Sequence, residues 1–234
     1  MNTNPVFVAL DTTDPDYARQ LAERVRGSVG GLKLGLEFFN AHGPDGIRPF
    51  TELGLPVFLD LKYHDIPNTV AGACRAAASL GVSILNVHAQ GGAAMMRAAL
   101  DAVKSVNPST RLIAVTMLTS LSDEDLPSVG LMPPVGDQVL RLASLTQQCG
   151  LDGVVCSAHE IETLRRELGP DFLLVVPGIR PAGSAVGDQR RVMGPAEARG
   201  AGASILVIGR PITAAADPAQ AARDIAQSLD IATL

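Results

Sequence analysis

Residues Phe58-Leu59-Asp60-Leu61-Lys62-Tyr63-His64-Asp65-Ile66-Pro67-Asn68-Thr69 read as the end of a buried strand running into the start of a helix. Side chains two apart on a strand share a face, so Asp60 and Lys62 point the same way. Phe58, Leu59 and Leu61 around them are apolar, as a strand packed on both sides requires. Asp65 lies past the expected strand end, just before Pro67. As an N-cap followed by proline in the first turn it opens a helix. As a third charge beside Asp60 and Lys62 it belongs to a site. The pattern D-x-K-x-x-D leaves both readings open, and leaves open a plain structural ion pair between Asp60 and Lys62.

Comparable units recur along the chain. Short apolar runs rich in β-formers occupy 6–11, 31–35, 57–62, 83–89, 111–118, 153–158, 173–179 and 204–210. Stretches of helical length, rich in Ala and Leu, lie between them, as at 17–26, 69–80, 93–106 and 138–148. This alternation predicts βαβ units and a parallel sheet covered on both faces. Eight units in 234 residues match a (β/α)₈ TIM barrel, which takes about 250 residues. An open doubly wound sheet would carry a glycine-rich turn after its first strand. Here that turn is Leu10-Asp11-Thr12-Thr13-Asp14, without a glycine. No linker-like break divides the chain, so a single α/β domain is expected over residues 1–234.

Hydrophobic residues make up 47% of the chain, enough for a sizeable core. The net charge of −5, without like-charge runs, argues against nucleic acid as a partner. A local cluster of Lys and Arg can still hold a small anion against that global sign. No stretch approaches the roughly 18–20 apolar residues of a membrane span, and no secretory leader is expected. Cys74, Cys149 and Cys156 are odd in number and form no CxxC pair. They read as small buried residues of a protein kept in a reducing cytoplasm. No HExxH or zinc-like Cys/His spacing is present, so no metal is expected.

In such a barrel the chemistry gathers at the C-terminal ends of the strands. Those ends carry Asp11, Lys33, Asp60 with Lys62, His88, Thr116 to Thr119, Ser157, Arg180 and Arg210. A structural core favours Val, Ile and Leu, and unpaired buried charge is expensive, so this convergence calls for a function. The segment from Pro177 to Arg191 holds three glycines, two prolines and three arginines. It reads either as a lid over a ligand or as a solvated surface loop. Val207-Ile208-Gly209-Arg210-Pro211 suits a phosphate, with Gly209 admitting the anion and Arg210 offering a planar double donor. His88 reads as a hydrogen-bonded structural histidine, and Met95-Met96 as core.

On these motifs the chain resembles the orotidine 5'-phosphate decarboxylase family. The likeness runs from about Val6 to the final helix. It includes Leu10-Asp11, Leu59 to Thr69, Asn86 to Ala89, Ala114 to Ser120, Gly153 to Ala158, Pro177 to Pro181, Gly187 to Arg191 and Ile208 to Pro211. The resemblance implies conversion of orotidine 5'-monophosphate to uridine 5'-monophosphate and CO₂, the last step of de novo pyrimidine biosynthesis. It implies no cofactor and no metal. It makes Lys62 the catalytic lysine, Asp60 the carboxylate facing the substrate's carboxylate, and Lys33 the lysine that holds Asp60. It makes the chain a homodimer in which Asp65 enters the neighbouring site, with Ile66 and Thr69 in the same substrate-binding stretch. Asp11 would bind the ribose and Thr119, or Thr119 with adjacent Ser120, the pyrimidine, whereas Arg180, Gln189, Gly209 and Arg210 would hold or flank the phosphate. Lys33, Asp60, Lys62 and Asp65 are expected to form an alternating array, each charge beside an opposite one.

Three rival readings fit parts of the same pattern. A metal-dependent sugar-phosphate decarboxylase or aldolase shares D-x-K-x-x-D, but needs an acidic ligand where this chain has Lys33. A Schiff-base aldolase needs Lys62 neutral, which two neighbouring carboxylates oppose. A non-catalytic binder of phosphate esters has no need of the charged array.

Overall fold

The computed structural model describes residues 4–181 and 193–229. Its elements run β1 (Val6–Ala9), α1 (Pro15–Val25), β2 (Gly31–Gly35), α2 (Leu36–Thr51), β3 (Val57–Tyr63), α3 (Pro67–Ala78), β4 (Ile84–His88) and α4 (Gly92–Val106). Then follow β5 (Arg111–Val115), α5 (Val135–Gln148), β6 (Gly153–Val155), α6 (Ile161–Leu168), β7 (Leu173–Pro177), α7 (Pro195–Gly200), β8 (Ile205–Ile208), α8 (Arg210–Thr213) and α9 (Pro218–Gln227). Each strand pairs in parallel with the next, and β8 closes on β1 through Val6↔Leu206 and Val8↔Ile208. The expected (β/α)₈ barrel is therefore the observed one.

Sequence-local chemistry starts several of the helices. Asp14 caps α1, accepting from the Asp16 and Tyr17 N–H groups at 3.0 Å each, with Pro15 in the first turn. Asp217 does the same for α9 from Ala219 and Gln220, ahead of Pro218. Helix α2 breaks at Gly43, whose φ of 62° is followed directly by Pro44.

The alternation of each strand separates two apolar compartments. Outward residues such as Val8, Leu32, Leu34, Leu59 and Leu85 pack under the helices. Inward residues Phe7, Ala9, Phe58, Ile84, Ile113, Val175, Ile205 and Val207 fill the barrel. The Phe7 ring occupies space that its register partner Gly31 leaves open: a Cβ there would sit 2.4 Å from the ring. This packing forms an apolar floor. Strands continue above it into Lys33, which pairs in register with Phe58, and Asp60, which pairs with Gly35.

Six strands, β1, β4, β5, β6, β7 and β8, stop earlier than their apolar runs suggest, β4 by a single residue. Asp11, Thr116 to Thr119, Ser157 and Arg180 lie in the loops just past β1, β5, β6 and β7, and Arg210 opens α8 after Gly209. The ladder ends where polar side chains turn toward the barrel mouth, although the Leu10 N–H still donates to the Lys33 carbonyl (3.0 Å) beyond β1. Cys74, Cys149 and Cys156 are free and buried, and burial pushes the Cys74 thiol up to about 12. Met95 and Met96 are fully buried. Among the described residues no helix is long and apolar enough to cross a membrane.

Candidate active site

A cavity of about 430 Å³ opens at the C-terminal ends of the strands. Asp11, Lys33, Asp60, Lys62, Thr119, Arg180, Gly209 and Arg210 all line it, above Ala9, Phe58, Val155, Val175 and Val207. Residues expected from scattered parts of the chain thus meet at one mouth. The floor is apolar, one wall carries the Lys62–Asp60 pair, and Arg180 and Arg210 bring two guanidinium groups.

The Lys62 Nζ lies 2.7 Å from Asp60 Oδ1, with both side chains mostly buried. Strand alternation alone does not produce this contact. Lys62 has φ of 52°, the only positive φ at a non-glycine among the described residues. That conformation costs an L-residue about 1–2 kcal/mol. It occurs at a bulge: Leu59 pairs with Leu85 and Tyr63 with Val87, so β3 spends two more residues than β4 over the same span. Asn86 lies opposite. Its Oδ1 accepts from the Lys62 N–H (2.8 Å), and its Nδ2 donates to Asp60 Oδ1 (2.6 Å). In the sequence Asn86 opens the matching stretch Asn86 to Ala89, with no role implied for it. The signal that could have found it is a polar residue at an inward position of an otherwise apolar strand.

Lys33 departs from expectation in its partner. It contacts Asp11, Nζ to Oδ1 at 2.5 Å, rather than Asp60. The register explains this: Lys33 stands beside Ala9 on β1, two residues before Asp11, whereas Asp60 lies higher, level with Gly35. Gly35 leaves room for the pair, since a Cβ there would lie 3.3 Å from the Lys33 Nζ. The charges are therefore arranged as two pairs, Lys33–Asp11 and Lys62–Asp60, and not as one alternating array. Each pair presents an ammonium and a carboxylate to the cavity without leaving a buried charge unmatched.

Asp65, Ile66 and Thr69 do not line this cavity. All three are exposed, Ile66 by 68%, on the loop before α3 and on its first turn. Asp65 Oδ1 accepts from the Ile66 N–H (2.6 Å), but the N-cap position belongs to Ile66, whose side chain makes no capping bond. Gln189 and residues 182–191 of the segment read as a lid lie outside the described residues. Its first part reaches the cavity, where Gly178 adopts φ of 79°, open to glycine.

The rim after β8 is built differently from an extended helix N-terminus. Helix α8 is a single turn, Pro211 has no N–H, and the Ile212 N–H already donates to the Gly209 carbonyl (2.8 Å). Arg210 and Arg180 supply the cationic groups at this end.

His88 sits behind the Lys62–Asp60 pair. Its ring centroid lies 5.5 Å from that of His64, and its buried Nδ1 meets no hydrogen-bond partner among the described residues. This differs from the hydrogen-bonded histidine expected, because the partner facing it is another imidazole. Burial, then His64 and Lys62, hold its pKa below the ordinary imidazole value, against the opposing pull of Asp60. Tyr63, beside Lys62 in sequence, is pushed up to about 12 by burial and then by Cys74.

Known proteins share this chain nearly end to end. A protein described as orotidine 5'-phosphate decarboxylase from Paramagnetospirillum magneticum is 55% identical over 97% of this chain and 99% of its own length. One of the same description from Rhodospirillum rubrum is 57% identical over 97% and 94%. The crystal structure of orotidine 5'-phosphate decarboxylase from Lactobacillus acidophilus superposes with a TM-score of 0.87 at 39% identity, covering 97% of this chain and 99% of that one. With residues 4–225 matching its model, the chain belongs to the orotidine 5'-phosphate decarboxylase / HUMPS family.

Proposed function

We propose that the protein decarboxylates orotidine 5'-monophosphate to uridine 5'-monophosphate, with Lys62 as its catalytic residue. The observation that carries this is the Lys62 ammonium held 2.7 Å from Asp60 in a cavity that also contains Arg180 and Arg210. One molecule with a phosphate at one end and a reacting carboxylate at the other suits both features. Loss of CO₂ breaks the bond from C6 and leaves its electron pair in an orbital the pyrimidine ring does not delocalise. Charge fixed in advance in a cavity that excludes water stabilises such a pair. The Lys62 ammonium supplies that charge and then gives its proton to C6, forming the new C–H bond. Asp60 keeps the ammonium in place and faces the departing carboxylate.

The remaining roles follow position. Asp11 and Lys33 offer a carboxylate and an ammonium to the ribose hydroxyls. Thr119 approaches from the loop after β5 toward the pyrimidine. Arg180, Gly209 and Arg210 take the phosphate, and Gln189 belongs with them in the family pattern. The metal-dependent sugar-phosphate alternative is disfavoured by Lys33, an ammonium where a divalent ion would need an acidic ligand. Turnover of orotidine 5'-monophosphate, followed by substrate absorbance with EDTA present, tests the reading. Activity that survives the chelator and vanishes in Lys62→Ala upholds it; folded wild-type protein without turnover overturns it.

The homodimer is part of the same proposal. Asp65, Ile66 and Thr69 are exposed beside the mouth yet outside their own cavity, a placement suited to a second copy's site. In a two-fold assembly each chain would receive the other's Asp65. Mixing unfolded Lys62→Ala and Asp65→Ala chains and refolding them together would then restore roughly a quarter of wild-type activity, because half of the dimers carry one intact site. No recovery in the refolded mixture would sink the shared site.

A further inference from the structure

Between the pairs Leu59↔Leu85 and Tyr63↔Val87 the backbone of β3 leaves its ladder, and the Lys62 N–H needs an acceptor that β4's main chain does not supply. Asn86 is the residue of β4 flanked by those two pairings. It is 1% exposed, and both ends of its amide are engaged. The partners themselves fix the amide's orientation: an N–H must meet the oxygen, and a carboxylate must meet the NH₂ group. Asp60 Oδ1 thereby receives two donors, Asn86 Nδ2 at 2.6 Å and Lys62 Nζ at 2.7 Å. One buried side chain thus holds the Lys62 backbone in its left-handed turn and the Asp60 carboxylate in one rotamer. Alanine would leave both unsupported; aspartate would keep the acceptor for the N–H but remove the donor and add a second anion.

We propose that Asn86 is a positioning residue for the reaction, setting the direction from which the Lys62 ammonium meets C6; this rests on the decarboxylase reading of the same cavity. Asn86 touches no substrate atom in this account and acts through Asp60 and Lys62. A displacement of the reacting groups of the order of an ångström is sufficient to slow an enzyme severely. The groups assigned to phosphate and ribose, on β2, the loops after β1 and β7 and the start of α8, are held independently of Asn86.

The test is steady-state turnover by Asn86→Ala and Asn86→Asp, with inhibition by uridine 5'-monophosphate and thermal unfolding measured on the same preparations. Positioning predicts that kcat falls at least about tenfold while the product's inhibition constant stays within about threefold. Asn86→Asp should also move the kcat–pH profile to higher pH, since a second anion beside the ammonium makes its proton harder to release. A role confined to folding would lower Tm and leave kcat per folded chain close to wild type well below Tm; that result overturns the proposal. If Asn86→Ala does not fold, the isosteric Asn86→Asp decides alone by the same two readouts. Wild-type protein inactive on orotidine 5'-monophosphate would fail the decarboxylase reading separately. The ¹⁵N resonance of the Lys62 ammonium, assigned by its loss in Lys62→Ala, would then decide Asn86's part. An altered titration in the Asn86 variants upholds it, and an unchanged one overturns it.

Discussion

At the C-terminal ends of the strands a cavity of about 430 Å³ presents Asp11, Lys33, Asp60 and Lys62. At the N-terminal ends another of about 340 Å³ is bordered by Phe7, Ser83, Ile84, Asn107, Arg199 and Ser204. The two are similar in size, and both hold polar groups over an apolar base. They differ in what those groups bond to. Below, the chain's own backbone takes them: Arg199 Nη1 donates to the Ala203 carbonyl (2.9 Å), and Asn107 Oδ1 accepts from the Ser109 N–H (3.1 Å). Ser204 Oγ accepts from the Leu174 N–H (3.1 Å) and from Arg165 Nη2 (3.0 Å). Arg165 in turn donates to the carbonyls of Gly169, Pro170, Phe172 and Gly202, which ties the starts of β7 and β8 to α6. Above, the charges face one another across side chains and remain directed at the cavity. Cavity volume does not separate a site from a seam. What separates them is whether polar groups are consumed by the fold or held ready for something else.

The comparison breaks most visibly at Lys62. Lys62→Ala is expected to lower kcat by at least about 10³-fold, the combined reach of a fixed charge and a proton donor. Alanine, still an L-residue, keeps the left-handed strain, and it leaves the Asp60 carboxylate to the Asn86 donor alone, so a moderate fall in Tm should accompany the large loss of rate; a large fall in Tm with modest loss of rate would reverse the assignment. At the opposite end Ser204→Ala should do the converse. Losing two donors' acceptor costs about 1–3 kcal/mol, a fall in Tm of roughly 2–4 °C per kcal/mol, with kcat within about twofold. Thermal scans and turnover on one preparation distinguish the two ends.

The smallest effect concerns His88, behind the upper pair. Its folded pKa lies below the unfolded value of about 6.5, so below that pH the unfolded chain binds a proton the folded chain refuses. Its contribution to stability is present above pH 6.5 and is lost as pH falls through that value. Tm measured from about pH 8 down to about pH 5.5 should drop more steeply for wild type than for His88→Gln. Parallel curves would show that the imidazole is not the group responsible.

The site was legible where its residues are local to a strand end. Asp60, Lys62, Lys33 and Arg210 are polar interruptions in apolar runs, and eight such runs imply a barrel whose mouth collects them. The extent of the strands was less so, because a polar tip and a strand residue look alike until the ladder is seen to stop. Asp65 illustrates the opposite limit. Its place in the sequence suited either a helix cap or a site, and the structure gives the N-cap position to Ile66 and leaves Asp65 exposed outside its own chain's cavity.

From the amino-acid sequence alone came the (β/α)₈ fold and the charged residues at its mouth, since both depend on periodicity and side-chain type over a few neighbouring positions. Only the tertiary structure decided how those charges pair. Lys33 turns to Asp11 because the register of β1, β2 and β3 brings Asp11 into its reach and sets Asp60 beside Gly35. Lys62 reaches Asp60 from a left-handed bulge held by Asn86, 24 residues away in sequence. Such contacts are chosen by packing across strands, where a shift of one residue would exchange every partner, and that choice is made when the barrel closes.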